Sequence, residues 1–584
     1  MHTFEIWSPV AKKICVQVDG TAVPMQGPDE RGWWRVDVAD AHAGSKYGFL
    51  IDDDAKAYPD PRSLWQPDGV HGLSRVYDHA AFQWSDKEFR ATPLASAIFY
   101  ELHVGTFTPK GTLDAAIEKL EYLKDLGVTH VELMPVAAFD GEHGWGYDGV
   151  ALFAVHAPYG GPDALKRFVD AAHAKGLAVI LDVVYNHFGP SGNYTGQFGP
   201  YTTDAHHTPW GGAVNLEDAW SAEVRRFFCD NALMWMRDFH CDGLRLDAVH
   251  AYVDRSATHF LEQLAMETDA LEAALGRPLV LIAESDLNDP RIVSAREAGG
   301  YGIDAQWSDD FHHALFTVLA RERQGGYYAD FGELAQLAKA LERTFVYEGQ
   351  YSIYRRRHHG RTAAHLPQNR FFGYIQNHDQ VGNRAIGDRV HECAGFDRAK
   401  IAAAVVLTAP FVPLIFQGEE WAASSPFQFF ADHQDPDLAR AVSAGRKREF
   451  QAFGWDPAQI PDPEKRETFE RSKLKWEELG EAAHSEMLAW YRALIALRRS
   501  SPDLRNSEPG HTQVDFDARE RWLVVYRGEL RILCNLGPEA RTFELAAGAS
   551  VLLASQSGIG ATGSTITLPP DSVAVTGGSP GPRV

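Results

Sequence analysis

Cysteine is scarce in this sequence, with five among 584 residues. Cys15, Cys229, Cys241, Cys393 and Cys534 are odd in number, widely scattered, and form no Cys-x-x-Cys pair or Cys/His cluster at zinc spacing. They read as reduced thiols. Long hydrophobic runs are also missing. The runs at 401–406 and 411–416 fall far short of the ~18 residues of a membrane span and are bounded or broken by Pro410 and Pro413. Met1 to Trp7 has no basic stretch leading into an apolar core, so no secretory leader is expected and the predicted location is cytoplasmic. Excess positive charge is absent as well: 56 Lys and Arg against 79 Asp and Glu leave a formal charge of −23. Such a surface repels phosphate backbones and anionic lipid, which argues against nucleic-acid and membrane partners and for a neutral or cationic small ligand.

The chain can nevertheless build large cores, since 45% of it is hydrophobic and 23% charged. At about 100–200 residues per domain, its length predicts two to four domains. Residues 1–92 read as short strands punctuated by turns, at 14–18, 33–38 and 46–51, the pattern of a β-sandwich. The stretch with Pro59, Pro61 and Pro67 and the segment at 85–93 read as an ordered linker. From about residue 97 short apolar runs alternate with amphipathic helical stretches, as in βα units with a parallel sheet. Strands are predicted at 98–102, 131–134, 178–182, 243–246, 279–283, 304–307, 371–376 and 412–416, with helices at 113–126, 162–174 and 487–499. Eight such strands predict an α/β architecture, a (β/α)8 TIM barrel with long loop insertions, over residues 93–503. A doubly wound open sheet is the alternative, weakened because no Gly-x-Gly-x-x-Gly follows an early strand. Strands at 522–526, 531–534 and 564–568 predict a small C-terminal β-domain over 504–584, ending in a frayed tail at 576–584.

In a barrel of this kind, catalytic groups gather at the C-terminal ends of the strands. Strand 3 ends in Asp182 to His187, strand 4 carries Arg245 and Asp247 with His250 just after, strand 5 ends in Glu284, and strand 7 ends in His378 and Asp379. Arg245 and Asp247 are two apart and share a face. A structural ion pair accounts for them; so does an arginine that lowers the pKa of a carboxylate nucleophile. Glu284 follows an apolar strand, a setting that raises a carboxyl pKa and suits a general acid. Three acids without a thiol, hydroxyl triad or phosphate cradle favour glycosidic chemistry. A metal site built from Asp182, Asp247, Glu284 and the histidines is the remaining alternative, but no His-x-His or His-Glu-x-x-His spacing supports it, and no metal is expected.

The segments 182–187, 243–250, 283–285 and 377–379 resemble, in order and strand placement, the four signature regions of the α-amylase superfamily, glycoside hydrolase family 13. Segments 99–107, 144–149, 373–384, 418–421 and 426–430 are similar to those of its trehalohydrolase branch. The resemblance implies Asp247 as nucleophile, Glu284 as general acid/base and Asp379 as the third carboxylate, in a retaining mechanism. It implies substrate contacts from Tyr147, Asp182, His187, Arg245, His250, His378 and Trp421, with the loop after strand 8 shaping a trehalose pocket. For Tyr147 a packed core role is the alternative. The N-terminal β-domain is expected to be carbohydrate-binding-module-like (E-set). His250-Ala251 stands where many α-amylases have Lys-His, which disfavours ordinary starch hydrolysis. The implied substrate is maltooligosyltrehalose, cleaved at the α-1,4 bond next to its trehalose unit, with maltooligosyltrehalose synthase as pathway neighbour. No cofactor is implied; Asn186 matches a calcium-binding position of some relatives, but no second ligand is identifiable. A branching enzyme and a non-catalytic glycan-binding protein are the alternatives.

Overall fold

The computed structural model describes residues 1–320, 326–452 and 455–578. The part of the expected tail at 579–584 lies outside the described residues. Eight parallel strands close into one barrel in sequence order. They are β1 (Phe99–Leu102), β2 (His130–Leu133), β3 (Ala178–Val183), β4 (Gly243–Leu246), β5 (Val280–Ala283), β6 (Ala305–Trp307), β7 (Phe371–Gly373) and β8 (Val412–Phe416). All eight coincide with predicted strands, though β7 ends three residues earlier than expected.

Alternation along these strands builds the site. Successive side chains point to opposite faces, so one set lines the barrel interior. Deep inside, Phe99, Ile180, Ile282, Ala305, Phe372 and Leu414 pack into a separate apolar cluster. Two residues further along β1, β3 and β5 the same face presents Glu101, Asp182 and Glu284. Trp307 and Tyr374 separate the two layers: the Arg245 guanidinium lies 4.3 Å over the Trp307 ring, and both aromatic side chains belong to the apolar cluster. The charged layer thus rests on a dry floor that raises the strength of every electrostatic contact above it.

Helices follow most strands, but not all as predicted. The expected 113–126 helix is two short ones, Leu113–Ile117 and Leu120–Leu126, and Gly127 closes the second in the left-handed conformation. Gly161–Ala174, Ser221–Arg237 and Phe260–Leu275 form the next crossovers. Between β5 and β6 the described residues contain only a 3-10 turn, Arg296–Ala298, where a βα rhythm predicts a helix. Pro290 and the positive φ angles of Gly299 and Gly302 interrupt that segment, and a Cβ on Gly300 would sit 2.1 Å from the Ser294 carbonyl oxygen. Ala482–Ser500 follows the barrel.

The N-terminal strands form two antiparallel sheets, His2–Trp7 with Trp33–Val38, and a four-stranded sheet centred on Ile14–Val18 and Lys46–Ile51. They face each other through pairs such as Phe4 and Tyr47, with ring centroids 4.9 Å apart. Trp7 joins them to the barrel by packing on Tyr201 at 5.1 Å. Gly199 permits that approach, since a Cβ there would meet the Trp7 ring at 2.7 Å. At the C-terminal end a five-stranded and a three-stranded antiparallel sheet enclose Val524, Leu533, Phe543, Ile566 and Leu568. Among the described residues no helix is long and apolar enough to cross a membrane.

Candidate active site

Arg245 is the centre of the charged layer and is fully buried. Register places it beside Asp182 on β3 and Ile282 on β5. One guanidinium nitrogen donates to Asp182 at 2.8 and 3.0 Å and to Asp247 at 2.8 Å. Its other terminal nitrogen pairs with Glu284 at 3.0 Å. Asp247 and Glu284 therefore lean on adjacent nitrogens of one cation, while their side chains retain 10% and 18% exposure.

The backbone after β4 is bent to serve Glu284. Ala248 adopts φ 41° and ψ 50°, a left-handed conformation that costs a non-glycine residue about 1–2 kcal/mol. The bend aims the Ala248 N–H at the Glu284 carboxylate, 2.7 Å away. Strain of this kind persists where surrounding structure over-determines it, typically at functional sites.

A second chain of contacts starts at β1. Glu101 accepts from the His378 backbone N–H at 2.9 Å and forms a very short bond with the His378 ring. The other ring nitrogen lies 2.7 Å from the Tyr147 hydroxyl, which donates to Asp182 at 2.6 Å. Asp379 sits 3.6 Å from that same ring nitrogen and accepts from Asn383 at 3.1 Å. Tyr147 also stacks on His378 with centroids 5.1 Å apart. Its hydroxyl thus ties the β1–β7 group to the Arg245 group.

Burial and mutual repulsion set the protonation states. Burial tends to neutralise His378, but Glu101 and Asp379 outweigh it and lift its pKa to about 9. Burial and the nearby Glu284 push Asp247 well above the usual carboxylate range, with Arg245 compensating only in part. For Glu284, burial is outweighed by Arg245, the Ala248 N–H and His250, so its pKa falls below the ordinary value. This corrects the sequence-based expectation of a low Asp247 and a high Glu284. Arg245 serves both acids rather than Asp247 alone, and Glu284 gains a backbone donor that the apolar strand preceding it does not suggest.

The structure brings Tyr147, Asp182, Arg245, His378 and Asp379 together around Asp247 and Glu284. His250 lies exposed on the 3-10 turn Val249–Ala251 at the rim. His187 stacks face to face on Trp210, with centroids 5.0 Å apart; Trp210 is 47% exposed on a hairpin after β3. Trp421 does not join them. It is completely buried, packed against Tyr122 and Trp476 at ring distances of 6.0 and 5.0 Å. The substrate contact expected of it is therefore withdrawn: the turn after β8 folds the indole into the core, not onto the rim. Trp145, Phe427 and Phe430 pack into the apolar cluster that Tyr147 also touches.

Sequence reasoning missed Glu101, Glu132, Asp309 and Trp210. The first two were visible in principle as lone acids inside apolar strands, two residues beyond Phe99 and His130. Asp309, just after β6, accepts from the Tyr374 hydroxyl at 2.6 Å, and burial raises its pKa to about 7. It lines a cavity of about 320 Å³ together with Asp286, Tyr327, Tyr354, Arg355 and Asp379.

Comparison with known proteins places this geometry. Residues 75–202 match the alpha amylase catalytic domain, and residues 508–575 match a domain of unknown function. A malto-oligosyltrehalose trehalohydrolase of Mycobacterium tuberculosis is 51% identical over 544 residues, covering 92% of this chain and 93% of its own. One from Rhizobium sp. is 47% identical, covering 98% and 97%. The crystal structure of a candidate alpha amylase from Salmonella typhimurium superposes with a TM-score of 0.90 at 38% identity, covering 98% of this chain and 97% of that one. With relatives of this identity along nearly its whole length, the chain belongs to the malto-oligosyltrehalose trehalohydrolase family of the α-amylase superfamily.

Proposed function

We propose that the protein hydrolyses the α-1,4-glucosidic bond next to the terminal trehalose unit of maltooligosyltrehalose, releasing trehalose and a maltooligosaccharide. The observation that carries this reading is the grip of Arg245 on Asp247 and Glu284 at the barrel mouth, in a chain of this family. Two carboxyls held by one guanidinium suit a retaining mechanism, in which the second acid is the nucleophile.

Asp247 attacks the anomeric carbon and forms a glycosyl ester, while Glu284 gives its proton to the glycosidic oxygen and trehalose leaves. Glu284, now a carboxylate, takes a proton from water; the water oxygen attacks the anomeric carbon and frees Asp247. The two acids hold one proton between them. In the sugar-free site burial and Glu284 raise Asp247, while Arg245 and the Ala248 N–H lower Glu284. Positive charge developing at the anomeric carbon favours the ionised Asp247, and exclusion of water from Glu284 favours its protonated form. Asp379 binds hydroxyls of the distorted sugar, with Tyr147, Asp182, His187, Arg245, His250 and His378 shaping the same subsite. The cavity beside Asp379 has the scale of a small-ligand pocket.

The same reading extends to context. The chain divides into 1–92, 93–503 and 504–584, works in the cytoplasm, and takes its substrate from a maltooligosyltrehalose synthase. Incubation with maltotriosyltrehalose followed by product chromatography tests the activity. Free trehalose with maltotriose is the expected result; longer or branched chains without trehalose would assign a branching enzyme instead, and no turnover a glycan-binding protein.

A further inference from the structure

Glu132 has no part in that mechanism, yet it stands directly beneath it. It is completely buried on β2, and neither of its carboxyl oxygens has a hydrogen-bond partner among the described residues. Its register neighbours are Glu101 on β1 and Ile180 on β3, and neighbouring strands lie only about 4.8 Å apart. Two fully buried acids at facing positions of adjacent strands each disfavour the other's charge. Glu101 accepts two N–H bonds from His378, whereas Glu132 accepts none.

We propose that Glu101 and Glu132 form a carboxyl pair holding one proton and one negative charge, with Glu132 as a positioning residue that stores the proton and supplies the charge beneath His378 when Glu101 cannot. Burial and Glu101 favour the neutral form of Glu132, with Asp182 acting in the same sense and Arg245 and His378 against it. The described residues hold no group of three or more acidic, histidine or cysteine side chains fit for a metal ion. Around His378 itself the charged groups are Glu101, Asp379, Arg245, Asp182 and Glu284. Removing the Glu101 carboxylate relieves the repulsion on Glu132 and leaves His378 without its counter-ion; Glu132 then releases its proton to solvent and takes over the negative charge.

The inference rests on the charge layout and survives even if the substrate proves to be another glucan. Its test is the titration of the His378 ring, followed by NMR in protein carrying ¹³C-labelled histidine and assigned by loss of the signal in His378→Gln. In Glu132→Gln the midpoint stays near the wild-type value of about 9. In Glu101→Gln it stays above the ordinary histidine range, because Glu132 ionises. In the double variant it drops well below that of Glu101→Gln, since only Asp379 then opposes burial. A fall in Glu132→Gln alone, or a double variant that titrates like Glu101→Gln, overturns the proposal. If the Glu101 variants do not fold, infrared difference spectra of wild type against the near-isosteric Glu132→Gln decide. Loss of a protonated-carboxyl band at neutral pH supports the stored proton, and its absence from the difference spectrum refutes it.

Discussion

At the ends of β4 and β5, Asp247 and Glu284 lean on one guanidinium and keep part of their surface open. Just beyond β8, Glu419 and Glu420 sit in an equally acidic stretch of sequence, beside a tryptophan, and do the opposite. They are buried, and their bonds come from tyrosine hydroxyls: Tyr491 donates to Glu419 at 2.8 Å, and Tyr100 and Tyr122 donate to Glu420 at 3.0 and 2.9 Å. A cation in contact opposes the cost of burial, fully at Glu284 and in part at Asp247, whereas hydroxyl donors in a closed space leave burial dominant. Burial accordingly lifts Glu419 to about 8 and Glu420 to about 7. Acid-rich strand ends thus divide by what contacts them, not by how many acids they carry.

The largest test of this contrast is removal of the shared cation. Arg245→Met leaves Asp182, Asp247 and Glu284 facing one another in a buried layer, and breaking such a pair on one side costs about 3–5 kcal/mol. Denaturant unfolding should register that loss, along with loss of turnover. A variant as stable as wild type would mean that the three acids are neutral without Arg245, and the contrast with Glu419 and Glu420 would vanish. Glu284→Gln comes next. It preserves shape, so stability should change little, while hydrolysis falls by roughly 10²–10⁴-fold, the usual worth of a general acid. Undiminished turnover of maltotriosyltrehalose would remove Glu284 from its proposed role.

The barrel and the main acids were legible because both obey local rules. Apolar runs of strand length marked β1 to β8, and the strand-end rule located Asp247, Glu284 and Asp379. What escaped depends on how segments distant in sequence meet. Nothing in the residues near Trp421 indicates that Tyr122 and Trp476 close over it. Nor does the sequence around Ala248 reveal the left-handed bend that supplies Glu284 with a backbone donor. The opposite pKa shifts of Asp247 and Glu284 follow from the shared Arg245 and the Ala248 N–H, whereas Glu101 and Glu132 could have been found by extending the two-residue alternation along β1 and β2.

Two tryptophans sharpen the comparison further. Trp421→Ala should cost about 3–5 kcal/mol of stability as a core truncation, with KM unchanged in protein that remains folded. Trp210→Ala should do the reverse. Its ring is half exposed and stacked on His187, so stability should hold while KM rises by an amount equivalent to about 0.5–1.5 kcal/mol of lost ring contact. Melting curves and initial rates on both variants check the pair. An elevated KM in Trp421→Ala with unchanged stability would restore the loop after β8 to the sugar site.

The smallest effect concerns pH and stability. A folded Glu419 holds its proton up to about 8 and Glu420 up to about 7, whereas each releases it near the ordinary 4.5 once unfolded. Between those limits these two side chains hold fewer protons in the unfolded chain than in the native one. The contribution of these two acids to stability must therefore decline as pH rises from about 4.5 through about 8. Glu419→Gln and Glu420→Gln remove the titrating groups, so each variant should differ little from wild type at the acidic end of the window and diverge from it as pH rises. Because Gln cannot ionise, the gap in unfolding free energy should widen toward pH 8 in favour of the variants. Parallel curves across that range would show that these two acids ionise inside the fold as readily as exposed ones, and tyrosine donors would then no longer distinguish a structural acid from a catalytic one.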